Sequence, residues 1–357
     1  MRTGALAPLG LAALGLAAAA GGALFGAAAA HATSPGTNGR IFFSARAPAS
    51  HSGCGVASVR VNGTGYNCVD PFGSDPAVSP DKLRIASVRG ELPTEVYGSA
   101  INGKGARRLT HAPGERPDSL SPSFSPDSGQ ILWFKYGGDQ GEDGLYLMNA
   151  DGSGQHQLTG DSGQDPVFSP SGAQIAYTRG GIAIAGADGG GSHVILGDQN
   201  FATTNPLGHY LEQNGEPSWA PNGRRLAFSR RTRTDTLVCN PAPPACSGAN
   251  TDTANDVYSM NTDGSDVRRL TSTPGVDEVD PSYSPDDSMI AYYRRPAGDD
   301  GRGQIWVMHA DGSGRRRVAL GANPEWSTLR GGPERPLLRF RFIRLNRHRS
   351  CLGRFDG

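Results

Sequence analysis

The sequence has no long amphipathic helical pattern, and its apolar runs are short. Hydrophobic residues make up only 36% of its 357 residues, whereas Gly contributes 51 residues and Pro 26. The apolar runs are rich in Ile, Val, Tyr, Phe and Trp, which favour strands. This combination argues against a helix bundle and predicts a body made of many short strands and turns.

The sequence also lacks the motifs of several enzyme classes. It contains no GxSxG elbow, no HExxH pair, no P-loop and no EF-hand calcium loop. Its histidines are scattered through the chain, including His51, His111, His156, His193, His209 and His309. No catalytic residue is therefore predicted, although a fold could bring one of these histidines into a lyase site.

Cysteine is scarce, with five residues and no CxxC motif. Cys54 and Cys68 form one local pair, and Cys239 and Cys246 form a second pair that brackets "CNPAPPAC". Two local pairs and one odd cysteine, Cys351, are typical of an oxidising compartment, so we predict a disulfide in each pair. Zinc binding is the alternative, but no histidine lies at ligand spacing near either pair.

What the sequence does contain is a repeat. Its anchor is the proline of an "xPx(aromatic or Val)S" element, found at Pro76, Pro122, Pro166, Pro217, Pro281 and, as "NPEWS", Pro324. The spacings are 46, 44, 51, 64 and 43 residues. A period of about 40–50 residues with several short strands per unit is typical of β-propeller blades.

One repeat unit shows how the four strands of a blade follow each other. "PSFS" (122–125) and "QILWFK" (130–135) are predicted as the first and second strands. "GLYLMNA" (144–150) and "QHQLT" (155–159) follow as the third and fourth. An Asn-Gly or Asp-Gly pair joins the last two strands, as in Asp151-Gly152. Such pairs predict a type I′ turn, in which both central residues have positive φ.

The two ends of the repeat region are incomplete in complementary ways. "NGRIFFSA" (38–45) and "GVASVRVNGTGYNCV" (55–69) supply a unit without its first strand, and "NPEWS" (323–327) supplies a first strand alone. We predict that these segments complete one blade. The fold class is then all-β, a closed six-bladed β-propeller of four-stranded antiparallel blades.

The pattern "SPD(G)…I-A…I-x-V-M-N-A-D-G-S-G…R-L-T" resembles the WD40-like repeats of the TolB propeller family, without the "GH…WD" pair of true WD40 repeats. The resemblance covers about residues 38–327. It implies a six-bladed propeller, and we expect no counterpart here of the small α/β domain that precedes the propeller in that family. Similar blades occur in periplasmic scaffolds, in peptidases and in some lyases, so the resemblance is more specific for fold than for function.

The segments outside the repeats have different compositions. Residues 1–32 carry one charge, Arg2, then an Ala/Leu/Gly run and "AHA", which predicts a signal peptide, with an uncleaved membrane anchor as the alternative. The propeller is assigned to residues 33–329. Residues 330–357 carry a net charge of +6. Because the whole chain is neutral, removing this tail and Arg2 leaves the propeller with a net charge of about −7. This basic tail is expected to be disordered, and docking on an anionic envelope surface or on nucleic acid is the alternative.

Polar residues occupy the position just before each anchor proline, namely Asp75, Ser121, Asp165, Glu216, Asp280 and Asn323. Because the first strand of each blade lines the channel of a propeller, we expect these side chains to surround one opening. Four carboxylates there could hold a cation or a basic segment of a partner. The resemblance implies the same place, since a partner lipoprotein docks at the channel mouth in the TolB family. The alternative is that each side chain caps a turn.

Two insertions, 197–215 and 230–256, are predicted as long loops that add binding specificity, with tolerated surface insertions of no role as the alternative. Together these features predict a secreted or cell-envelope scaffold, acting as a monomer, that binds an envelope or extracellular protein or peptide. We expect no nucleic acid, no cofactor, and membrane contact only through an uncleaved leader. The alternative is a hydrolase or lyase on the same propeller that uses channel residues and a divalent metal.

Overall fold

The fold is taken from a computed structural model, which describes residues 37–45, 53–90, 93–111, 118–137, 142–161, 163–204, 207–241, 244–252, 254–296 and 303–328. Within 202–204, 207–209, 235–241 and 244–252 only the backbone is described. Every regular element in these ranges is a strand. Accordingly, the described residues include no helix able to cross a membrane. The predicted signal peptide, the basic tail and Cys351 lie outside the described residues.

The strands form six antiparallel sheets, and each sheet contains the four strands of one blade. The first three strands are β1 (Asn38–Ser44), β2 (Val56–Arg60) and β3 (Asn67–Asp70). Blade 1 consists of β4 (Ser74–Val78), β5 (Arg84–Arg89), β6 (Glu95–Ala100) and β7 (Arg107–Arg108). Blade 2 consists of β8 (Asp118–Phe124), β9 (Gln130–Tyr136), β10 (Gly144–Asn149) and β11 (His156–Gln157). Blade 3 consists of β12 (Gln164–Phe168), β13 (Gln174–Thr178), β14 (Gly181–Gly186) and β15 (His193–Gly197).

Blade 4 is larger and contains β16 (Gln199–Thr204), β17 (Leu207–Trp219), β18 (Arg225–Pro241), β19 (Pro244–Asp252), β20 (Asp256–Asn261) and β21 (Arg268–Arg269). Blade 5 consists of β22 (Val276–Tyr283), β23 (Met289–Pro296), β24 (Gln304–His309) and β25 (Arg316–Leu320). The last strand, β26 (Ala322–Thr328), pairs antiparallel with β1 and so completes blade 6 with β2 and β3.

The first strands of neighbouring blades contact each other all the way round, in the order β4, β8, β12, β17, β22, β26 and back to β4. This continuous cycle makes the molecule a closed six-bladed ring, and the all-β propeller predicted from the repeat is confirmed. The ring surrounds a central channel whose wall is built by the first strands.

The hydrophobic core is divided into six clusters, each lying between two adjacent blades. Between blades 5 and 6, for example, Trp326 and Ile41 pack with Val307. Large aromatic residues at one repeat position of the first strand are buried in such clusters: Phe124, Phe168, Tyr283 and Trp326. Because each blade buries its sides only against its neighbours, closure of the ring removes the last two exposed faces.

The "SPD" motif makes the tight turn between the first two strands of a blade. In blade 2 the Ser125 hydroxyl donates to the Asp127 carboxylate at 2.6 Å and accepts from the Gln130 amide at 2.8 Å. Asp127 also accepts from the Gly129 amide at 2.8 Å. These bonds satisfy the turn's backbone locally, which explains why the motif recurs from blade to blade.

The hairpin between the third and fourth strands differs from the prediction. In each Asn-Gly or Asp-Gly pair only the glycine has positive φ, as at Gly152 with φ 84°. The Gly152 amide donates to the Asn149 carbonyl, and the Asn149 amide donates to the Ser153 carbonyl, both at 2.8 Å. The loop therefore has three residues, a type I turn followed by a left-handed glycine, and the type I′ prediction is wrong.

The two predicted cysteine pairs have different outcomes. Cys54 and Cys68 are joined by a disulfide, as predicted, which ties the connection before β2 to β3. Closing a loop of this length stabilises a fold by about 3 kcal/mol in the chain-entropy model. Cys239 and Cys246 are direct partners in the backbone register of β18 and β19. Their side chains lie outside the described residues, so that disulfide stays a prediction.

Blade 4 carries strands where loops were predicted. Residues 199–204 of β16 pair antiparallel with residues 207–212 of β17, and residues 233–241 of β18 pair antiparallel with residues 244–252 of β19. The four strands belong to one sheet that continues β17 and β18 beyond Glu216, away from the turn at Pro221, Asn222 and Gly223 that joins these two strands. At about 3.3 Å per residue, the β17 part of this extension is roughly 25–30 Å long. The prediction of irregular loops is wrong because long polar strands pair with each other here.

Candidate functional site

Every first strand has a bulge at the residue before its anchor proline. In blade 1 the register with β5 shifts between Ser74 and Ala77, and the other blades shift at the same place. The six residues at this position have φ between 48° and 56°: Asp75, Ser121, Asp165, Glu216, Asp280 and Asn323. This left-handed conformation costs about 1–2 kcal/mol for a residue with a Cβ atom and is tolerated best by Asp and Asn. The strain recurs six times at one level of the ring.

These six residues line a single central cavity of about 190 Å³. The anchor prolines and the following residues of the first strands complete its wall. The structure thus brings Asp75, Asp165, Glu216, Asp280 and Asn323 around one opening, where the repeat places them. Their role in binding is not tested by this geometry and stays a prediction.

A further carboxyl group, Glu325, lines the same cavity and was not among the predicted site residues. It follows Pro324, at a position where the other units have Ala, Ser or Val. The Ser282 hydroxyl donates to Glu325 at 3.3 Å. An alignment of the repeats would have identified Glu325, because it is the one acidic residue at a position where the other units have a small or apolar residue.

The side chains of this ring cap backbone groups across blades rather than within a turn. The Ser121 amide donates to Asp75 Oδ2, and the Asp280 amide donates to Glu216 Oε2, both at 2.9 Å. The Asn323 side-chain amide donates to Asp75 Oδ1 at 3.3 Å. Capping is therefore part of the role of these residues, but it ties neighbouring blades together. Binding and capping are compatible, since a carboxylate has lone pairs left after one such bond.

Burial and mutual repulsion raise the pKa of several ring carboxyls. Burial, followed by the charges of Glu216 and Asp75, raises the pKa of Asp165 to about 7. Burial also raises the pKa of Asp75, and the pKa of Asp280 is raised by burial and then by Glu216 and Asp165. Burial raises the pKa of Glu325 to about 8. The channel therefore holds protons at neutral pH that ordinary carboxyl groups would have lost.

None of the residues that line this cavity is Lys, Arg or His. An entering cation would be the first positive charge beside these carboxyls, and it would lower their pKa values and release protons. Among the described residues no three His, Cys, Asp or Glu side chains come together closely enough to hold a metal ion. Carboxyl groups such as these form charge-assisted hydrogen bonds with ammonium and guanidinium groups.

Exposed aromatic side chains occur on the same side of the ring as the strained residues. Phe72 is 76% exposed, Tyr136 55% and Phe201 50%. They lie in the connection from β3 to β4, at the end of β9 and in β16, and each of these places adjoins the start of a first strand or the end of a second strand. Exposed aromatic residues are enriched in protein-binding surfaces.

Comparison with solved structures gives the same fold. TolB from Acinetobacter baumannii matches with a TM-score of 0.59 and 22% identity, over 82% of this chain and 67% of that one. A putative TolB from Agrobacterium tumefaciens matches with a TM-score of 0.54 and 15% identity, over 81% and 91%. A chain of a nidogen–laminin complex matches with a TM-score of 0.54 and 9% identity, over 81% and 98%. No family model matches the chain.

The ring of six blades, the strained first strands and the enclosed carboxyls define a β-propeller with a polar central channel. Among such propellers the chain has the TolB-like six-bladed fold. At these identities the likeness specifies the fold and leaves the function to the residues of the site.

Proposed function

We propose that this chain is an exported binding propeller whose acidic channel takes a cationic segment, a Lys- or Arg-bearing stretch of an envelope or extracellular protein or peptide. The observation that carries the proposal is the group of five channel carboxyls with no basic residue in the cavity wall: Asp75, Asp165, Glu216, Asp280 and Glu325. Such a group is costly to bury for stability alone.

The raised pKa values favour a cationic ligand. A carboxyl whose pKa is about 7, as at Asp165, is about half protonated in neutral solution. A bound ammonium or guanidinium group would draw out the remaining protons and form charge-assisted hydrogen bonds. Because only the ionised form binds the cation well, affinity is expected to rise with pH through this range, by up to about tenfold per pH unit for each proton released.

The surroundings of the channel favour a protein or peptide ligand over a small ion. Phe72, Tyr136 and Phe201 offer exposed apolar surface near the places where first strands begin or second strands end. The extended sheet of blade 4 adds further surface beyond Glu216, and its base is fixed by an ion pair of 3.2 Å between Arg230 and Glu212. A partner that places one basic side chain in the channel would rest its apolar residues on this rim.

Export is supported by two independent features. The Cys54–Cys68 disulfide is a bond that persists in oxidising compartments. The first 32 residues have the composition of a secretory signal. We therefore place the binding event in the cell envelope or outside the cell.

The test is a crosslinking pull-down from envelope extract with the wild-type protein and a triple variant, Asp165→Asn, Glu216→Gln and Asp280→Asn. These changes remove charge and retain acceptor oxygens for the backbone caps, so the ring should still fold. The matched control changes three exposed hairpin residues, Asp188, Asp263 and Asp311, to Asn, which blades 1 and 6 already carry at the equivalent Asn102 and Asn62.

We expect the wild type and the control to capture the same protein, and the channel variant to lose most of it. Circular dichroism and a thermal melt would show whether the channel variant is folded. Equal capture by all three proteins would refute a role for the channel carboxyls.

A further inference from the structure

Two arginines of blade 6, Arg40 and Arg60, are direct partners in the antiparallel pair of β1 and β2. Direct partners project from the same face of a sheet, and like charges at such positions are destabilising. Burial, and then the charge of Arg60, lower the pKa of Arg40. The protein thus keeps two guanidinium groups side by side, although this arrangement costs stability.

The same pair of positions is described in the five other blades, and none of them has two arginine or lysine residues there. The equivalent partners in blades 1 to 5 are Arg84 and Ala100, Gln130 and Asn149, Gln174 and Gly186, Arg225 and Asn261, and Met289 and His309. The strands and the hairpin of a blade therefore form without an arginine pair, so the pair in blade 6 is not needed to build the blade.

Blade 4 shows how a single arginine at this place is neutralised. Arg225 occupies the position of Arg40, and its Nη1 lies 2.7 Å from Asp266 Oδ2 in the same blade. Its Nη2 also donates to Ser259 Oγ at 3.0 Å. Arg40 has the corresponding anchor, because its Nε donates to Ser58 Oγ at 2.9 Å. The two arginines are therefore held alike on the neighbouring strand.

Blade 6 lacks the carboxylate that neutralises this arginine in blade 4. Asp266 lies two residues after the hairpin glycine, with φ 52°, and Gly65 lies at the same place in blade 6, with φ 68°. Arg40 Nη2 donates to the Gly65 carbonyl oxygen. A Cβ atom placed on Gly65 would lie 2.8 Å from Arg60 Nη1 and 3.7 Å from Arg40 Nη1. The two guanidinium groups thus converge beside the position from which blade 4 supplies its carboxylate.

No described acidic side chain replaces that carboxylate in blade 6. Arg40 bonds only to neutral oxygens, and the Arg60 side chain has no hydrogen bond or ion pair among the described residues. The hairpin itself carries the neutral Asn62, at the place where blades 2, 3, 4 and 5 have Asp151, Asp188, Asp263 and Asp311. The two positive charges are therefore left uncompensated.

A third guanidinium group lies against the hairpin that joins β2 and β3. Arg316 of β25 donates to the Val61 carbonyl oxygen at 2.5 Å. The positive potential around this hairpin is therefore larger than that of one arginine. Because the attraction is proportional to the charge of the ligand, a group with two negative charges gains more here than a group with one.

We propose that Arg40 and Arg60 bind a phosphate group, at the place where blade 4 holds the Asp266 carboxylate. Guanidinium groups match the oxygens of a phosphate with pairs of N–H donors and form charge-assisted hydrogen bonds with them. One carboxylate neutralises one arginine, as in blade 4, whereas a phosphate dianion can neutralise both arginines of blade 6. Neither arginine lines the channel, so this site is separate from the carboxyls there.

The test is isothermal titration calorimetry of the full chain with inorganic phosphate at about pH 8, where phosphate is mainly a dianion, at constant ionic strength. Arg60→Asn gives blade 6 the residue that blade 4 has at Asn261. Gly65→Asp supplies a carboxylate from within the chain, at a left-handed position where blade 4 carries Asp266. Arg224→Asn, at an exposed arginine of blade 4, is the matched control. Acetate is the monoanion for comparison.

We expect saturable phosphate binding at one site of the wild type and of the control. Binding should be at least about fivefold weaker in Arg60→Asn, which loses a charged hydrogen-bond donor. Gly65→Asp should lose phosphate binding while a thermal melt shows it folded, and acetate should bind the wild type more weakly than phosphate. Absence of saturable phosphate binding up to about 20 mM, equal binding by the wild type and Arg60→Asn, or acetate binding as tight as that of phosphate would overturn the proposal.

Vesicles of phosphatidylcholine with and without phosphatidic acid distinguish two sources of the phosphate group. Cosedimentation that requires phosphatidic acid and is lost in Arg60→Asn would support a lipid as the source. Binding of inorganic phosphate without cosedimentation would support a soluble phosphate compound. Cosedimentation that is unchanged in Arg60→Asn would count against the arginine pair.

Discussion

The central channel and the cavity between blades 1 and 2 are both polar sites, but they are opposite in charge and in origin. The channel is acidic and is built by repetition, because six equivalent positions converge on one axis. The outer cavity, between blades 1 and 2, is lined by Arg84, Lys104 and Arg107 and by no acidic residue, and Lys104 stands where blades 2, 4 and 5 have Ser. The repeated positions thus give the channel its acidic character, and changes within single blades give the outer surface a different charge.

The two sites also differ in what they cost the fold. The channel residues adopt left-handed backbone conformations, carry buried carboxyls and cap each other across blades. The lining of the outer cavity adds no strained backbone beyond the hairpin glycines, and its apolar residues Ile85, Leu109 and Ile131 are buried. Substitutions in the channel should therefore change stability in large and pH-dependent ways, and substitutions in the outer cavity should change it little.

The largest effect is expected at Asp75. Asp75→Ala places alanine at φ 48° and removes the acceptor of the Ser121 amide, so we expect a loss of about 2–3 kcal/mol in the free energy of unfolding. Asp75→Asn keeps both the conformational tolerance and an acceptor oxygen, and it should lose less than about 1 kcal/mol. Urea unfolding at pH 6 measures both. Equal losses for the two variants would show that neither strain nor capping distinguishes this position.

The next effect concerns pH. Asp165 has a folded-state pKa of about 7 against an ordinary value of 3.8, so the folded state binds more protons than the unfolded state between these values. The free energy of unfolding must then fall as pH rises from about 4 to about 7, and the stabilising contribution is lost above that range. Asp165→Asn cannot ionise, so it should be more stable than the wild type at pH 8, on the order of 1–3 kcal/mol, and similar at pH 4.

Urea unfolding of both proteins at pH 4, 6 and 8 tests this dependence. The control is Asp188→Asn, at an exposed hairpin position. Its difference in stability from the wild type should not increase between pH 4 and pH 8. A wild-type stability that rises between pH 5 and 8 as steeply as that of Asp165→Asn would contradict the raised pKa.

The smallest effect belongs to the outer cavity. Ala150→Ile should change stability by less than about 1 kcal/mol, because this hairpin position is only partly buried and blade 1 carries Ile101 at the equivalent place. Lys104→Ser should change stability by less than about 0.5 kcal/mol, since its side chain has no partner among the described residues. Thermal melts measure both, and a loss above 2 kcal/mol for either variant would show that the cavity is part of the structural core.

The closed six-bladed ring could be predicted from the sequence because several independent features of the repeat indicate it. The spacing of the anchor prolines, the strand patterns and the matching ends at "NGRIFFSA" and "NPEWS" all point to six blades, and the structure has them. The position of Asp75, Asp165, Glu216 and Asp280 follows from the same repeat, since equivalent residues of a closed ring must face a common axis.

The remaining features depend on interactions that a repeat does not encode. Asp-Gly fits both a two-residue and a three-residue hairpin, and the choice at Asp151-Gly152 depends on where Asn149 and Ser153 pair. The extended sheet of blade 4 depends on pairing between β16, β17, β18 and β19, which are polar and show no alternating apolar pattern. The raised pKa values depend on distances between carboxyls of different blades.

The most direct test of the central claim, that the channel takes a cationic segment, is the proton release that accompanies binding. Titration calorimetry with tetralysine at pH 7, repeated in buffers of different ionisation enthalpy, measures the number of protons released per peptide bound. The account predicts binding to the wild type with release of roughly half a proton or more, and reduced release by Asp165→Asn. No binding of tetralysine, or binding without proton release that is unchanged in Asp165→Asn, would contradict it.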